Sequence, residues 1–145
     1  MSVSWTADQQ KAIDSYGRGV TVSAAAGSGK TAVLIERIIR LLTDKEKNIP
    51  ADRLLAVTFT IDAAAQMRDK LNAAFEKKLR EDPENVWVLR QQDLVQLARI
   101  STIDSFCFDM VKENLNKFEF TGNLKILGEA ECEMIFDTAF EQAAE

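Results

Sequence analysis

A three-layer α/β fold built on a parallel sheet is what this sequence predicts, and three observations predict it. Short apolar or β-branched runs alternate with amphipathic helical patterns in the order strand–helix, strand–helix, strand–helix. The run Leu54-Leu55-Ala56-Val57-Thr58 is continuous and apolar, as in a parallel strand covered on both faces. A turn of small residues, SAAAGSGKT from Ser23 to Thr31, joins the first strand run to the first long helical pattern.

The elements follow in chain order. Thr6-Ala7-Asp8-Gln9 predicts a helix start, with Thr6 as N-cap and Gln9 three residues on. Val20 to Ala24 reads as a short buried strand, and Lys30 to Leu42 as a helix ending near Thr43. Leu54 to Thr58 is the second strand. Ala63 to Leu79 is a helix with Ala64, Met67, Leu71, Ala74 and Phe75 on one face, and Asp82-Pro83-Glu84 breaks it. Val86 to Leu97 is again helical, and Arg99 to Thr102 is a third, very short strand. Asp104 is the expected cap of a helix carrying Cys107, Met110, Val111 and Leu115 on one side. Thr121-Gly122-Asn123 is a turn. The last helix carries Cys132, Ile135, Phe136, Ala139, Phe140 and Ala143 at a 3.6-residue spacing.

Composition narrows the function classes. A chain of 145 residues fits one domain and can bury a core, and its 46% hydrophobic content is ordinary for a soluble globular protein. No apolar run reaches the roughly 18 residues of a membrane span, and the N-terminus lacks a signal-peptide pattern. A cytoplasmic protein without membrane contact is expected. Cys107 and Cys132 fit no metal spacing and are expected to be buried thiols. The absence of histidine removes His-based acid–base chemistry and His metal sites from this chain. A net charge of −5 argues against a broad basic patch for duplex DNA, though not against single-strand binding, where stacking carries much of the energy.

The turn carries the chemistry. A phosphate needs backbone N–H groups that converge on it, and small residues let the chain wrap closely. Ala24, Ala25, Ala26, Gly27, Ser28 and Gly29 supply such a cradle for ATP. Lys30 would reach the β- and γ-phosphates, and Thr31 would place its hydroxyl on Mg²⁺. The strict pattern is G-x-x-x-x-G-K-S/T, and its first Gly falls at Ala24. The alternative is a turn with a chance Gly-Lys-Thr, but the strand and helix the motif requires flank it.

Four blocks together resemble the superfamily 1 helicases of the UvrD/Rep type, and within them the A-subunit family of AddAB helicase–nucleases. WTADQQKAI, Trp5 to Ile13, is similar to the family's Q motif. AAAGSGKTAVLIERI, Ala24 to Ile38, is similar to its phosphate loop, where these relatives commonly have Ala for the first Gly. LLAVTFTIDAAAQM, Leu54 to Met67, is similar to motif Ia, and ISTIDSFC, Ile100 to Cys107, to motif Ic. Ala32 stands where UvrD and Rep carry an adenine-stacking Arg, as in the AddAB-type A subunit. The resemblance implies a P-loop NTPase (RecA-like) fold that is incomplete here and ends in helices of an inserted helical subdomain. It implies residues 1–117 as the N-terminal part of helicase domain 1A and 118–145 as the start of subdomain 1B.

The same resemblance implies roles. Gln9 would read the adenine edge through its amide, which both donates and accepts; its alternative role, as capping partner of Thr6, is compatible with that. Trp5 either lines the same pocket or packs. Phe59 and Thr60 would face single-stranded DNA, Phe59 by stacking and Thr60 on a phosphate; read alone, Phe59 could equally be core. Thr102, Ser105 and Phe106 are further candidates for DNA contact. The sequence departs from the family at Ile61 (usually Asn), Gln66 (usually Glu) and Asp104 (usually His). An Asp facing a phosphate would repel it, so Asp104 is expected off the DNA path.

A P-loop ATPase also needs an acidic pair to hold Mg²⁺ and orient water, and no predicted strand ends in Asp-Glu; Leu124 to Glu129 is the nearest stretch and lacks the Asp. The expectation is an N-terminal fragment of an ATP-dependent DNA helicase/nuclease working in double-strand break repair and recombination, with exonuclease activity elsewhere in the longer protein. Its partners would be single-stranded and duplex DNA and a second, B subunit in a heterodimer. Alone, the chain would bind Mg-ATP weakly without turnover. A stand-alone nucleotide-binding regulatory module and a small-molecule kinase are the alternatives.

Overall fold

The computed structural model describes residues 4–17, 19–25, 27–117 and 125–144. Ala26, the predicted turn at Thr121-Gly122-Asn123 and the predicted domain start at residue 118 lie outside the described residues. The chain divides into two compact units, Met1–Cys107 and Phe108–Glu145.

In the first unit, α1 (Ala7–Asp14) starts with the predicted capping box: Thr6 Oγ1 accepts from the Gln9 N–H at 3.3 Å, and the Thr6 N–H donates to Gln9 Oε1 at 2.9 Å. Helix α2 (Lys30–Thr43) follows Gly29 and buries Val33, Ile35, Ile38, Ile39 and Leu42 along one stripe. The Trp87 indole N–H donates to the Leu42 carbonyl at 2.9 Å, satisfying one of the carbonyls that the end of α2 leaves without an intrahelical partner. A 3-10 turn, Ala51–Arg53, leads into β1 (Leu55–Thr58). Helix α3 (Ile61–Glu81) is capped by Thr60, whose hydroxyl accepts from the Ala63 N–H at 3.2 Å. Helix α4 (Val86–Val95) is capped by Asn85 in the same way. Strand β2 (Arg99–Thr102) leads directly into α5 (Ile103–Glu113), which crosses the division between the units.

The core lies between α2, α3, α4 and one face of the sheet. Ala64, Met67, Leu71 and Phe75 of the predicted α3 face are buried there with Ile38, Ile39, Val88, Val95 and Ile100. Gln91 is a fully buried polar member of this interior. Its Oε1 accepts from the Ala51 N–H at 2.7 Å and its Nε2 donates to the Ile49 carbonyl at 2.8 Å, which ties α4 to the chain entering β1.

The sheet corrects two expectations. Strands β1 and β2 pair in parallel, with Leu55 opposite Arg99 and Thr58 opposite Thr102, and they form a two-stranded sheet. It is covered on one face: Ile100 points into the core, whereas Leu55 and Val57 are exposed. Val20 to Ala24 is not a strand. It makes no ladder with β1 or β2, and Val22 is half exposed. A β-branched run needs a neighbouring edge to pair with, and neither strand supplies one to this segment. The mixed α/β class with a parallel sheet therefore stands, and the three-stranded layer does not.

Two further corrections concern α5 and the cysteines. The cap of α5 is Thr102, not Asp104: the Thr102 hydroxyl accepts from the Ser105 N–H at 3.2 Å, which places Asp104 in the first turn. A carboxylate there is favoured by the positive end of the helix dipole without capping it. Helix α5 buries no residue, and both Cys107 and Cys132 are exposed rather than buried, because nothing among the described residues covers the helix sides that carry them.

The second unit holds the end of α5, a 3-10 turn at Leu115–Lys117 and α6 (Glu129–Ala144). Glu131 anchors the start of α6, pairing with Lys125 and accepting from the Gly128 N–H at 3.0 Å, and these bonds hold its carboxyl below the usual range. The predicted apolar stripe is exposed at Ile135, Phe136 and Phe140, with the two rings stacked at 6.5 Å between centroids. Among the described residues, no helix is long and apolar enough to cross a membrane.

Candidate nucleotide-binding site

The site is assembled where α1, the turn at 23–29 and the start of α2 meet. Gly27 and Gly29 both have positive φ, +75° and +82°. Side chains rarely adopt that backbone, so glycine is required by conformation. Space does not demand it: a Cβ at Gly27 would meet nothing within 4 Å, and one at Gly29 would rest 3.5 Å from Gln9 Nε2. With Gly29 in the left-handed region, the chain turns into α2 and leaves its first N–H groups directed out of the helix end.

Lys30 folds back over this turn. Its Nζ donates to the Ala24 carbonyl at 2.8 Å and to the Ala25 carbonyl at 2.7 Å. The turn thus curves around the point where the ammonium sits. Ser28 N–H donates to the Ala25 carbonyl at 3.3 Å and narrows the loop further. Thr31, one residue into α2, is exposed. Ala26 lies outside the described residues.

Gln9 belongs to the same constellation. Beyond its capping role, its Nε2 donates to the Ser28 carbonyl at 3.2 Å, so α1 is bonded to the phosphate turn itself. The amide keeps one N–H and one oxygen lone pair for a base edge. A cavity of about 250 Å³ is lined by Thr6, Asp8, Gln9, Ala12, Val22, Ser23, Ala24, Ser28, Lys30 and Val33, with Asp8 its one carboxylate. Trp5 is half-buried along a different groove, beside Gln10, Arg40 and Lys77.

Among the described residues no three His, Cys, Asp or Glu side chains cluster to hold a metal ion. Mg²⁺ keeps several waters and binds readily through phosphate oxygens with few protein ligands, and the Thr31 hydroxyl offers one such ligand.

The DNA candidates gather elsewhere. Because β1 and β2 run parallel and in register, Thr58 opposite Thr102, the segments that follow them leave the sheet at one edge. Phe59 and Thr60 follow β1; Ser105 and Phe106 lie in the first turn of α5. Phe59 is 98% exposed, which excludes the core role. Thr60 spends one lone pair on the α3 cap and retains its hydroxyl hydrogen. Thr102 is buried, and its hydroxyl donates to Ser105 Oγ at 2.9 Å, so it orients Ser105. Ile61 and Asp104 are exposed at the first turns of α3 and α5.

Sequence reasoning missed the residues that dock α1. Arg37 Nη1 donates to the Ala12 carbonyl at 2.6 Å, and Arg40 pairs with Asp14 at 3.0 Å and with Glu36 at 2.7 Å. The available signal was a pair of arginines three apart, Arg37 and Arg40, among the apolar residues of the middle of α2.

Comparison with known proteins completes the site's context. The chain is 44% identical over 141 residues to the A subunit of the ATP-dependent helicase/nuclease of Bacillus licheniformis, covering 97% of this chain and 12% of that protein. It is 46% identical over 132 residues to the protein of the same name from Lachnoclostridium phytofermentans, covering 91% and 10%. For the Clostridioides difficile protein, again the A subunit of an ATP-dependent helicase/nuclease, the figures are 42% over 144 residues, 99% and 11%. The chain spans little more than a tenth of the length of these relatives. With its residues 5–145 matching the UvrD/REP helicase N-terminal domain, the chain belongs to that family.

Proposed function

We propose that the turn at residues 24–31 binds Mg-ATP and that the chain is the nucleotide-binding beginning of one subunit of an ATP-dependent DNA helicase/nuclease. The observation that carries this reading is the pair of left-handed glycines with the Lys30 ammonium held inside the curve they make. An ammonium bonded to two carbonyls marks a place where negative charge is favoured once those carbonyls are exchanged for phosphate oxygens. In this reading Lys30 and Thr31 are the catalytic pair, Lys30 on the β- and γ-phosphates and Thr31 on Mg²⁺. The backbone of Ala24, Ala25, Ala26, Gly27, Ser28 and Gly29 surrounds the phosphates, and Gln9 reads adenine.

Single-stranded DNA would pass the exposed edge after β1 and β2, stacking on Phe59 and contacting Thr60, Ser105 and Phe106. Residues 1–117 would form the first part of a RecA-like domain 1A with a fuller parallel sheet, and 118–145 the start of subdomain 1B. The longer protein would work in the cytoplasm with a B subunit in double-strand break repair, with exonuclease activity outside this chain. The names of the relatives support the helicase and nuclease terms of this proposal and its division into subunits.

The test is calorimetric and thermal. Mg-ATP at a hundred times its Kd would add roughly 2.7 kcal/mol to the stability of the folded chain. That upward shift in Tm is expected for the unaltered chain and is expected to vanish in Lys30→Ala. No ATP hydrolysis is expected from the chain alone. Steady turnover that Lys30→Ala abolishes would overturn the inactive-fragment reading, and a shift that survives Lys30→Ala would overturn the site.

A further inference from the structure

Helix α1 has eight residues, too short to hold its shape in water without support. It is bolted at both ends, and the two bolts lead to different places. At its N-terminal end, the Gln9 amide serves the capping box and also grips the Ser28 carbonyl of the phosphate turn. At its C-terminal end, Arg37 of α2 reaches across and donates to the Ala12 carbonyl, one of the carbonyls the helix end leaves without an intrahelical partner. A guanidinium at that end also meets the negative pole of the helix dipole. Ile13, beside the second bolt, is the residue α1 buries.

We propose that Arg37 is a positioning residue for base recognition: by capping α1 it holds Gln9 where the nucleotide base arrives. Ala12, which Arg37 grips, follows Gln9 by less than one turn of α1, whereas Arg37 itself stands about two turns along α2 from Lys30. Arg37 also lines a cavity of about 240 Å³ shared with Lys30 and Ala12, so its bond to Ala12 is what assigns its action to α1, and the base-free ligand below separates that from a direct contact. The neighbouring Arg40–Asp14 pair is exposed on both sides, 41% and 55%, and exposed pairs contribute little. The charge-assisted bond from Arg37 to a half-buried backbone carbonyl is the stronger of the two. This rests on the nucleotide reading above and deepens it, because it separates what holds the base from what holds the phosphates.

The experiment compares Mg-ATP with Mg-tripolyphosphate, which carries the charge but no base, by calorimetry on the whole chain. Arg37→Ala is expected to weaken Mg-ATP about tenfold, the equivalent of one net hydrogen bond, and to leave Mg-tripolyphosphate unchanged. Arg37→Lys, which can still donate to Ala12, is expected to restore most of the loss. Gln9→Ala is expected to weaken ATP alike, and the double variant no further, because the two residues act in series. Arg40→Ala is the control and is expected to leave both ligands unchanged. Equal weakening of both ligands by Arg37→Ala, or additive losses in the double variant, would overturn the proposal. If the unaltered chain binds neither ligand, the nucleotide reading falls, and hydrogen exchange of the ligand-free chain still decides the coupling. The Ser28 amide is expected to exchange faster in Arg37→Ala and in Gln9→Ala but not in Arg40→Ala; unchanged exchange in Arg37→Ala would refute it.

Discussion

Gln91 has no solvent exposure, and both ends of its amide are spent on backbone. Gln91→Leu keeps the volume but leaves the buried Ala51 N–H and the half-buried Ile49 carbonyl without their partner. At about 1–3 kcal/mol for each stranded group, and toward the lower end for the half-buried carbonyl, a loss of roughly 2–5 kcal/mol is expected in urea denaturation. Asp44 makes a pH prediction. Its carboxylate accepts first from the Lys47 side chain and also from the Glu46 N–H, and these bonds hold it below the usual aspartate range. A carboxyl depressed in the folded state stabilises above its unfolded value, and that contribution disappears as pH falls through the folded value. An NMR titration should therefore place Asp44 below an unfolded aspartate, and Lys47→Ala should bring it back up. Of these residue roles, the Thr6–Gln9 box was legible because it is local, three residues apart. The Gln9–Ser28 and Gln91–Ala51 bonds were not, since only the packed helices bring such distant partners together.

At the scale of elements, the helices were largely legible and the strands only partly. Ala64, Met67, Leu71 and Phe75 show why: one stripe repeated along α3 predicts its own buried side. Four residues of β-branched sequence predict extension but not a partner, which is how Val20 to Ala24 failed. Boundaries moved by a residue or two wherever a hydroxyl capped earlier than expected, at Thr60 and Thr102. The cysteines failed for a related reason. Helical spacing says which residues share a side, not whether anything covers that side. Since α5 buries nothing and both thiols are exposed, Cys107 and Cys132 should react with a thiol reagent in the folded chain at nearly the rate seen in denaturant. Protection of either thiol in the folded chain would contradict the exposed faces described for α5 and α6.

For the whole molecule, the phosphate turn was the most legible part because its demands are chemical and local: left-handed glycines, a lysine and a helix start in a fixed order. The arrangement of layers was less legible, because it depends on which surfaces meet. The register of the sheet carries a kinetic consequence. Leu55 pairs with Arg99 and Thr58 with Thr102, and all of α3 and α4 lies between the partners. Closing that span as flexible chain costs entropy before any ladder bond repays it. If α3 and α4 form first, each helix shortens the path and their packing brings the two strands close. The order of events during refolding is then helices before sheet, and the phosphate turn, which among the described residues bonds to neither strand, is free to take its curve independently of when the sheet closes.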